Sequence, residues 1–278
     1  MSQIAVDPAL CRKDGICIDV CPANYLTADA SGLPREVEEG HCILCGHCVA
    51  VCKSQALRHT GLPEEALLPM PAEAPTPQAL EGLLRSRRSI RTFREQPVPR
   101  EEMEAMLDVT RRAPTATNSQ LLHWIVINGR AEVRKVAEEI ILGMRAAEVD
   151  PKILARWDNG DDFVLRGAPT LAVACAPADY FWTREDCAIA LTYLELTAEA
   201  RGYGATWAGY LTRCAARHAP LRQLLGVPEG FNVGGGLMLG TPRYKYHHIP
   251  PRKPLSIQWK GEDEGRRDQG RRDQGLRD

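Results

Sequence analysis

Long apolar runs are missing from this 278-residue chain. Nothing approaches the roughly 20 consecutive apolar residues that a membrane-spanning helix needs, so no membrane partner is expected. MSQIAVDPAL, with no basic start and no apolar core of signal length, is not expected to act as a secretory signal, and the chain's cysteine usage leads to the expectation of a reducing cytoplasm. There is no excess of positive charge, the formal net charge being -1, and this argues against nucleic acid as the main partner. No G-x-G-x-x-G follows a strand. GYGATW (202–207) fails at its third glycine and comes after a helical pattern, so nicotinamide binding gets no support from a motif of its own. The composition, 44% hydrophobic and 26% charged, is that of an ordinary globular protein.

Cysteine, by contrast, is plentiful: seven of the ten fall in two runs. Residues 42–52, CILCGHCVAVC, space Cys42, Cys45, Cys48 and Cys52 as an iron–sulfur ligand run without its terminal proline. Residues 11–22, CRKDGICIDVCP, repeat the unit as Cys11, Asp14, Cys17 and Cys21 followed by Pro22. Asp14 thus stands where a cysteine is due. Its register favours an oxygen ligand, or a place beside an open iron, over a solvated turn residue. Zinc ribbons also use C-x2-C pairs but need four ligands in two pairs, whereas each run here has three close ligand positions and a fourth after three further residues, and a disulfide framework wants an oxidising compartment. His47, between Cys45 and Cys48, is expected to tune a cluster rather than bind metal.

The first 60 residues resemble bacterial two-cluster ferredoxins. The resemblance implies that the fourth cysteine of each run crosses to the other cluster. Cys11, Asp14, Cys17 and Cys52 would then hold one 4Fe-4S cluster, convertible to 3Fe-4S, and Cys42, Cys45, Cys48 and Cys21 the other.

Composition divides the chain into an iron–sulfur module at 1–60, a proline-rich linker at 61–79, a main domain at 80–258 and a disordered polar tail at 259–278. In the main domain, Met103, Met106, Leu107 and Thr110 recur at helical spacing, as do Val133, Val136, Ala137, Ile140, Ile141 and Met144. HWIVIN (123–128), TLAVACA (170–176) and VGGGLMLG (233–240) read as buried strands. The segment at 185–204 is helical and apolar around most of its circumference, as at the core of an obligate dimer.

Chemistry in this domain starts at RSRRSIRTFRE (85–95), with five arginines in ten positions around Ser89. Such a run suits a nucleic-acid patch, a solvated face or a phosphate cradle. RRAPTATNSQLLHW (111–124), EARGYGATWAGY (199–210) and GTPRYKYHHIPPRKPL (240–255) follow it. In their order and spacing these four segments resemble the nitroreductase family, an α+β homodimer that binds FMN at its subunit interface. The resemblance implies that Arg87, Arg88 and Ser89 hold the FMN phosphate and ribityl chain, with Arg91 at the nearby basic position. It implies further that Asn118 bonds the flavin ring with Thr115 and Gln120 lining the same loop, that Arg252 and Lys253 close on the phosphate, and that Trp207, Ala208 and Gly209 bring backbone N–H groups towards flavin N5.

The expected whole is a ferredoxin-like module joined to an FMN-dependent reductase. Single electrons from an external donor such as a ferredoxin would be collected for two-electron reduction of a small electron-poor substrate such as a nitroaromatic, quinone or enone, while the resemblance also allows NAD(P)H as a donor placed directly over the flavin. A flavin-dependent dehydrogenase, a reductive dehalogenase, and a non-enzymatic carrier or iron and oxygen sensor stay open as alternatives. No catalytic acid or base is identifiable. Cys175, Cys187 and Cys214 read as small buried apolar residues, and His123, His247 and His248 as surface or satisfied histidines. Gly204, Gly209 and Gly234 to Gly236 would admit close backbone approach to a ring; for Gly234 to Gly236 tight strand packing is an equally good account.

Overall fold

The computed structural model describes residues 3–63 and 66–261. The tail expected at 259–278 lies outside the described residues beyond position 261. The chain divides into two units, Met1–Lys245 and Tyr246–Asp278. Residues 246–261 of the second are exposed and carry no helix or strand.

At the start of the first unit a strand–helix–strand pattern appears twice. It runs β1 (Ile4–Val6), α1 (Ile16–Asp19) and β2 (Leu26–Ala28), then β3 (Pro34–Glu36), α2 (His47–Val51) and β4 (Leu57–His59). β1 pairs antiparallel with β4 and β2 with β3, so the two repeats interlock. Gly15 and Gly46 precede α1 and α2 at φ 75° and 74°, a left-handed conformation open to a residue without Cβ, and each ligand loop therefore turns straight into its helix. Tyr25, Leu26 and Leu57 form a small core, with Cys17, Cys21, Cys42, Cys48 and Cys52 packed on it. So few buried apolar side chains stabilise a fold weakly, and small modules of this kind gain the rest from metal.

α3 (Pro77–Ser86) is capped by the Thr76 hydroxyl, which accepts the Ala79 N–H, so positions 77–79 are helical. There follow α4 (Arg100–Thr110), β5 (His123–Asn128), α5 (Arg130–Ala146), α6 (Pro151–Asp158), β6 (Thr170–Pro177), α7 (Thr183–Ala200), β7 (Gly204–Trp207), α8 (Gly209–Ala215), α9 (Ala219–Leu225) and β8 (Phe231–Gly240). The four strands form one antiparallel sheet in the order β5-β6-β8-β7. Alternation along β6 sends Leu171, Val173 and Cys175 into a core with α5, α8 and α9, and Ala172, Ala174 and Ala176 into a second core with α4 and α7. This is a three-layer α+β arrangement with the sheet in the middle.

The small residues on the α7 side let that helix sit close. A Cβ at Gly234 would lie 2.4 Å from Cys187 Sγ, and one at Gly235 would lie 2.6 Å from Leu191. Gly234 is also the extra residue of a β-bulge opposite Ala174 and Cys175. Packing against α7 thus accounts for these two glycines. Gly204 faces Ile90 in the same way, with only 2.5 Å for a Cβ, whereas Gly209 has open space beside it.

HWIVIN forms the expected strand but is not buried. β5 lies at the sheet edge with His123, Val126 and Asn128 exposed, because an apolar run does not distinguish an edge from a centre. α7 buries Asp186, Cys187, Ala190, Leu191, Leu194, Glu195 and Ala198 along one stripe. Ile189 and Leu196 stay half-buried and Tyr193 exposed. Cys175 and Cys187 are fully buried, and burial pushes both thiols up to about 12, consistent with inert core residues. Among the described residues no helix is long and apolar enough to cross a membrane.

Candidate functional site

The cysteine runs close around two small cavities. One is lined by Cys21, Cys42, Cys45 and Cys48, together with Tyr25 and His59. The other is lined by Cys11, Asp14, Cys17 and Cys52, with Arg12 and Lys53 at its border. Each cavity takes its last cysteine from the other run, because α1 and α2 pack together and cross-place Cys21 and Cys52. Among the described residues no three His, Cys, Asp or Glu side chains converge on a single ion. A ring of sulfurs around a cavity suits a polynuclear cluster better than one metal. Burial raises the Cys17 thiol and pushes Cys48 up to about 11; iron would have to displace those protons. Asp14 is exposed, and its Oδ1 accepts the Ile16 N–H at 3.2 Å while the residue borders the cavity of Cys11, Cys17 and Cys52.

A histidine does touch one of these cysteines, but it is His59 and not the exposed His47. His59 Nδ1 accepts the Gly61 N–H at 3.0 Å, which leaves the proton on Nε2, 3.4 Å from Cys42 Sγ. No spacing motif marks His59. Pairing of β4 with β1 carries it there.

In the main domain Ser89 bridges Ala205, so Arg87 to Ser89 lie beside β7 and near the turn carrying Trp207, Ala208 and Gly209. Arg87 Nη1 donates to Glu195 Oε1 at 2.8 Å. Arg88 spends Nη1 on the carbonyls of Arg85 and Arg87, while its Nε and Nη2 are buried without a partner. Buried guanidinium donors left unpaired are costly, and a phosphate oxygen is the acceptor that suits them. The residues present therefore fit a phosphate group, with Arg88 as the prepared donor and Arg87 already engaged. Arg91 donates to the Ser89 carbonyl. Nearby Arg166 has its pKa lowered by burial first, then by Arg91 and Arg156, a concentration of positive charge that favours an anion.

The loop at 115–120 is held from behind. Ala116 N–H donates to Asp186 Oδ1, Tyr180 OH donates to Asp186 Oδ2, Ser119 shares a hydrogen bond with Tyr180, and Gln120 N–H donates to Thr115 Oγ1. Thr117, Asn118 and Gln120 all have positive φ, 49° to 55°, a strained choice for non-glycine residues. α7 thus carries both anchors, Asp186 for this loop and Glu195 for Arg87. They stand nine residues apart, roughly 13 Å along the axis at 1.5 Å per residue. Asn118 Nδ2 donates to the carbonyls of Ile43 and Leu44 at 3.0 Å each, placing the loop against the segment between Cys42 and Cys45. The N–H of Ala208 is bonded to the Gly236 carbonyl at 2.8 Å, so of the three residues expected to offer backbone donors, that one is engaged in the sheet. Arg252 and Lys253 belong to the exposed second unit.

Asp186, Tyr180, Glu195 and His59 escaped the sequence reading. For the two carboxylates a signal existed, since each interrupts an otherwise apolar helix face. Tyr180 and His59 have none, because their partners lie far along the chain.

These features define an α+β reductase fold carrying a cysteine-rich iron–sulfur module. The nitroreductase family model matches residues 84–241 and a 4Fe-4S dicluster domain model matches residues 3–53. The chain belongs to the nitroreductase family, as an oxidoreductase with an N-terminal ferredoxin-like domain. A protein of Archaeoglobus fulgidus assigned as an NADH dehydrogenase/NAD(P)H nitroreductase is 30% identical over 161 residues, 58% of this chain and 84% of that one. Ferredoxin 7Fe of Hydrogenibacillus schlegelii is 32% identical over 66 residues, 23% of this chain and 82% of that one. The crystal structure of a nitroreductase with bound FMN from Desulfitobacterium hafniense is similar in fold, with TM-score 0.55 and 24% identity over 65% of this chain and 97% of that one.

Proposed function

We propose that the protein is an FMN-dependent reductase, working as a homodimer, that takes single electrons through two iron–sulfur clusters from an external donor and delivers them in pairs to a small electron-poor organic molecule. The observation that carries this reading is the contact of Asn118 with Ile43 and Leu44, which sets the loop expected to hold the flavin ring against the loop bearing Cys42 and Cys45. When bound, the clusters supply one-electron transfer and FMN supplies two-electron chemistry.

The chain's own residues have separate tasks. Arg88, with Ser89 and Arg91 beside it, binds the phosphate; Glu195 holds Arg87 in place until an anion competes for it. Thr115, Asn118 and Gln120 border the ring from a loop fixed by Asp186 and Tyr180. Trp207, 41% exposed, and Gly209, with open space beside it, border the ring on the β7–α8 side. Cys42, Cys45, Cys48 and Cys21 hold one 4Fe-4S cluster. Cys11, Cys17 and Cys52 would hold the other with Asp14, whose oxygen is harder than thiolate and suits iron–sulfur iron less well, so a 3Fe-4S form is expected at this site. The name of the Hydrogenibacillus relative, a 7Fe ferredoxin, is in keeping with such a pair. Residues 1–60, 61–79 and 80–258 serve as cluster module, spacer and flavin domain.

Anaerobic purification with counts of iron, sulfide and FMN, followed by turnover of a nitroaromatic and a quinone with reduced ferredoxin or NADPH, tests the reading. Cluster iron and FMN in the same chain, with ferredoxin-driven turnover, supports it. Absence of FMN, or turnover with NADPH alone, counts against it.

A further inference from the structure

The Ile43–Leu44 peptide is hydrogen-bonded on both sides. Its carbonyl oxygen accepts from Asn118 Nδ2 at 3.0 Å, and its N–H, on Leu44, meets Cys42 Sγ at 3.4 Å. The next carbonyl along, that of Leu44, accepts from the same Asn118 nitrogen. Donation to a peptide oxygen polarises the amide and strengthens its N–H as a donor. Asn118 therefore acts on the Cys42 sulfur through one peptide unit.

Both ends of this contact are held in an unusual conformation. Leu44 has φ 54° and Asn118 φ 55°, a region that asparagine visits far more readily than leucine. Lys13, at the matching place in the first run, has the same φ of 54°, so at Leu44 this turn belongs to the cysteine loop itself, and it is the Asn118 end whose conformation needs support from its surroundings. The Leu44 side of the contact is closed by Asn118, and the Asn118 loop is tied through Ala116 to buried Asp186. The first cluster cavity has no counterpart: among the described residues, the Cys11–Cys17 loop makes no hydrogen bond to any residue beyond 60.

Resting on the flavin reading above, we propose that Asn118 is a positioning residue that couples the flavin-holding loop to the second cluster site, so that this site and not the Asp14 site is the one addressed to the flavin. Its amide sets the strength of the Leu44 N–H to Cys42 hydrogen bond. Hydrogen bonds to cluster sulfurs tune reduction potential, because a donor stabilises the more negative, reduced form. Asn118 therefore raises the potential of the second cluster from across the domain boundary, and it leaves the first cluster untouched.

The test is an anaerobic redox titration followed by electron paramagnetic resonance on the full-length holoprotein, with iron, sulfide and FMN counted first. Asn118→Ala and Asn118→Gly both remove the donors, and the glycine variant keeps the positive φ without strain. Both are expected to lower the potential of the second cluster by a similar amount and to leave that of the first unchanged. Hydrogen exchange supplies a second readout, expected to speed up across Ile43–Cys45 in both variants and to stay constant across Cys11–Cys17. An unchanged second potential at full cluster content overturns the proposal, as does an equal shift of both clusters. Unsubstituted protein that binds no FMN or lacks the second cluster overturns the flavin reading itself, and the counts reveal that failure before any potential is measured.

Discussion

His59 and Cys42 face each other at 3.4 Å, Nε2 to Sγ, with the His59 ring fixed by the Gly61 N–H on its other nitrogen. The ring is buried at 4% exposure, so this donor works in a low-dielectric setting where a hydrogen bond is electrostatically strong. His59→Leu should lower the potential of the second cluster at unchanged iron content. The same titration that examines Asn118 measures it. An unaltered potential would show that the imidazole serves packing alone.

Asp14 borders the cavity of Cys11, Cys17 and Cys52 while also accepting the Ile16 N–H. If its carboxylate faces iron, oxidised protein should give a three-iron paramagnetic signal, and Asp14→Cys should suppress it by supplying the missing thiolate. The same signal in both proteins would leave Asp14 as a turn residue only.

Arg88 keeps two buried guanidinium nitrogens, Nε and Nη2, without a partner. A charge-assisted hydrogen bond contributes about 1.5 to 3 kcal/mol, so Arg88→Ala should weaken FMN binding roughly 10- to 150-fold. Arg87→Ala should cost less, because its guanidinium is shared with Glu195. Flavin content of the purified variants and fluorescence titration of FMN back into stripped protein give the order. Full occupancy in Arg88→Ala would contradict the phosphate assignment.

Much of this arrangement was readable in advance where the signal is local. The two cysteine runs carry their meaning in their spacing, and the helical and strand periods placed α4, α5, α7, β6 and β8 close to where they lie. Edge and centre were not distinguishable, since the side chains of β5 resemble those of a buried strand until its neighbours are known. Nor was the use of Gly234 and Gly235, which depends on where Cys187 and Leu191 arrive from α7. Arg87 with Glu195 is a pairing across 108 positions, and Asn118 with Ile43 one across 75. Contacts of that separation exist only once the chain has closed. The spacing of the arginines therefore suggested an anion cradle without showing which guanidinium is free.

Glu195 gives a pH dependence with a definite sign. Burial raises its pKa above the ordinary carboxylate value, and the Arg87 charge offsets this in part. The folded state therefore binds a proton at a pH where the unfolded chain does not, and stability contributed by this group is lost as pH rises through the folded pKa. Glu195→Gln removes the titration. Relative to the variant, wild type should lose thermal stability as pH rises above the ordinary carboxylate value, and parallel melting curves across that rise would rule the linkage out.

The central claim is that electrons enter through the iron–sulfur module and reach the flavin from there. The most direct measurement mixes anaerobic, FMN-loaded protein with a reduced ferredoxin in a stopped-flow spectrometer and follows the broad cluster absorbance alongside the flavin band. Bleaching of the clusters first, followed by the flavin and then by recovery of both when a nitroaromatic or quinone is added, is the expected result. Flavin bleaching while the clusters stay oxidised, or no response to ferredoxin in protein that NADPH reduces at once, would contradict it.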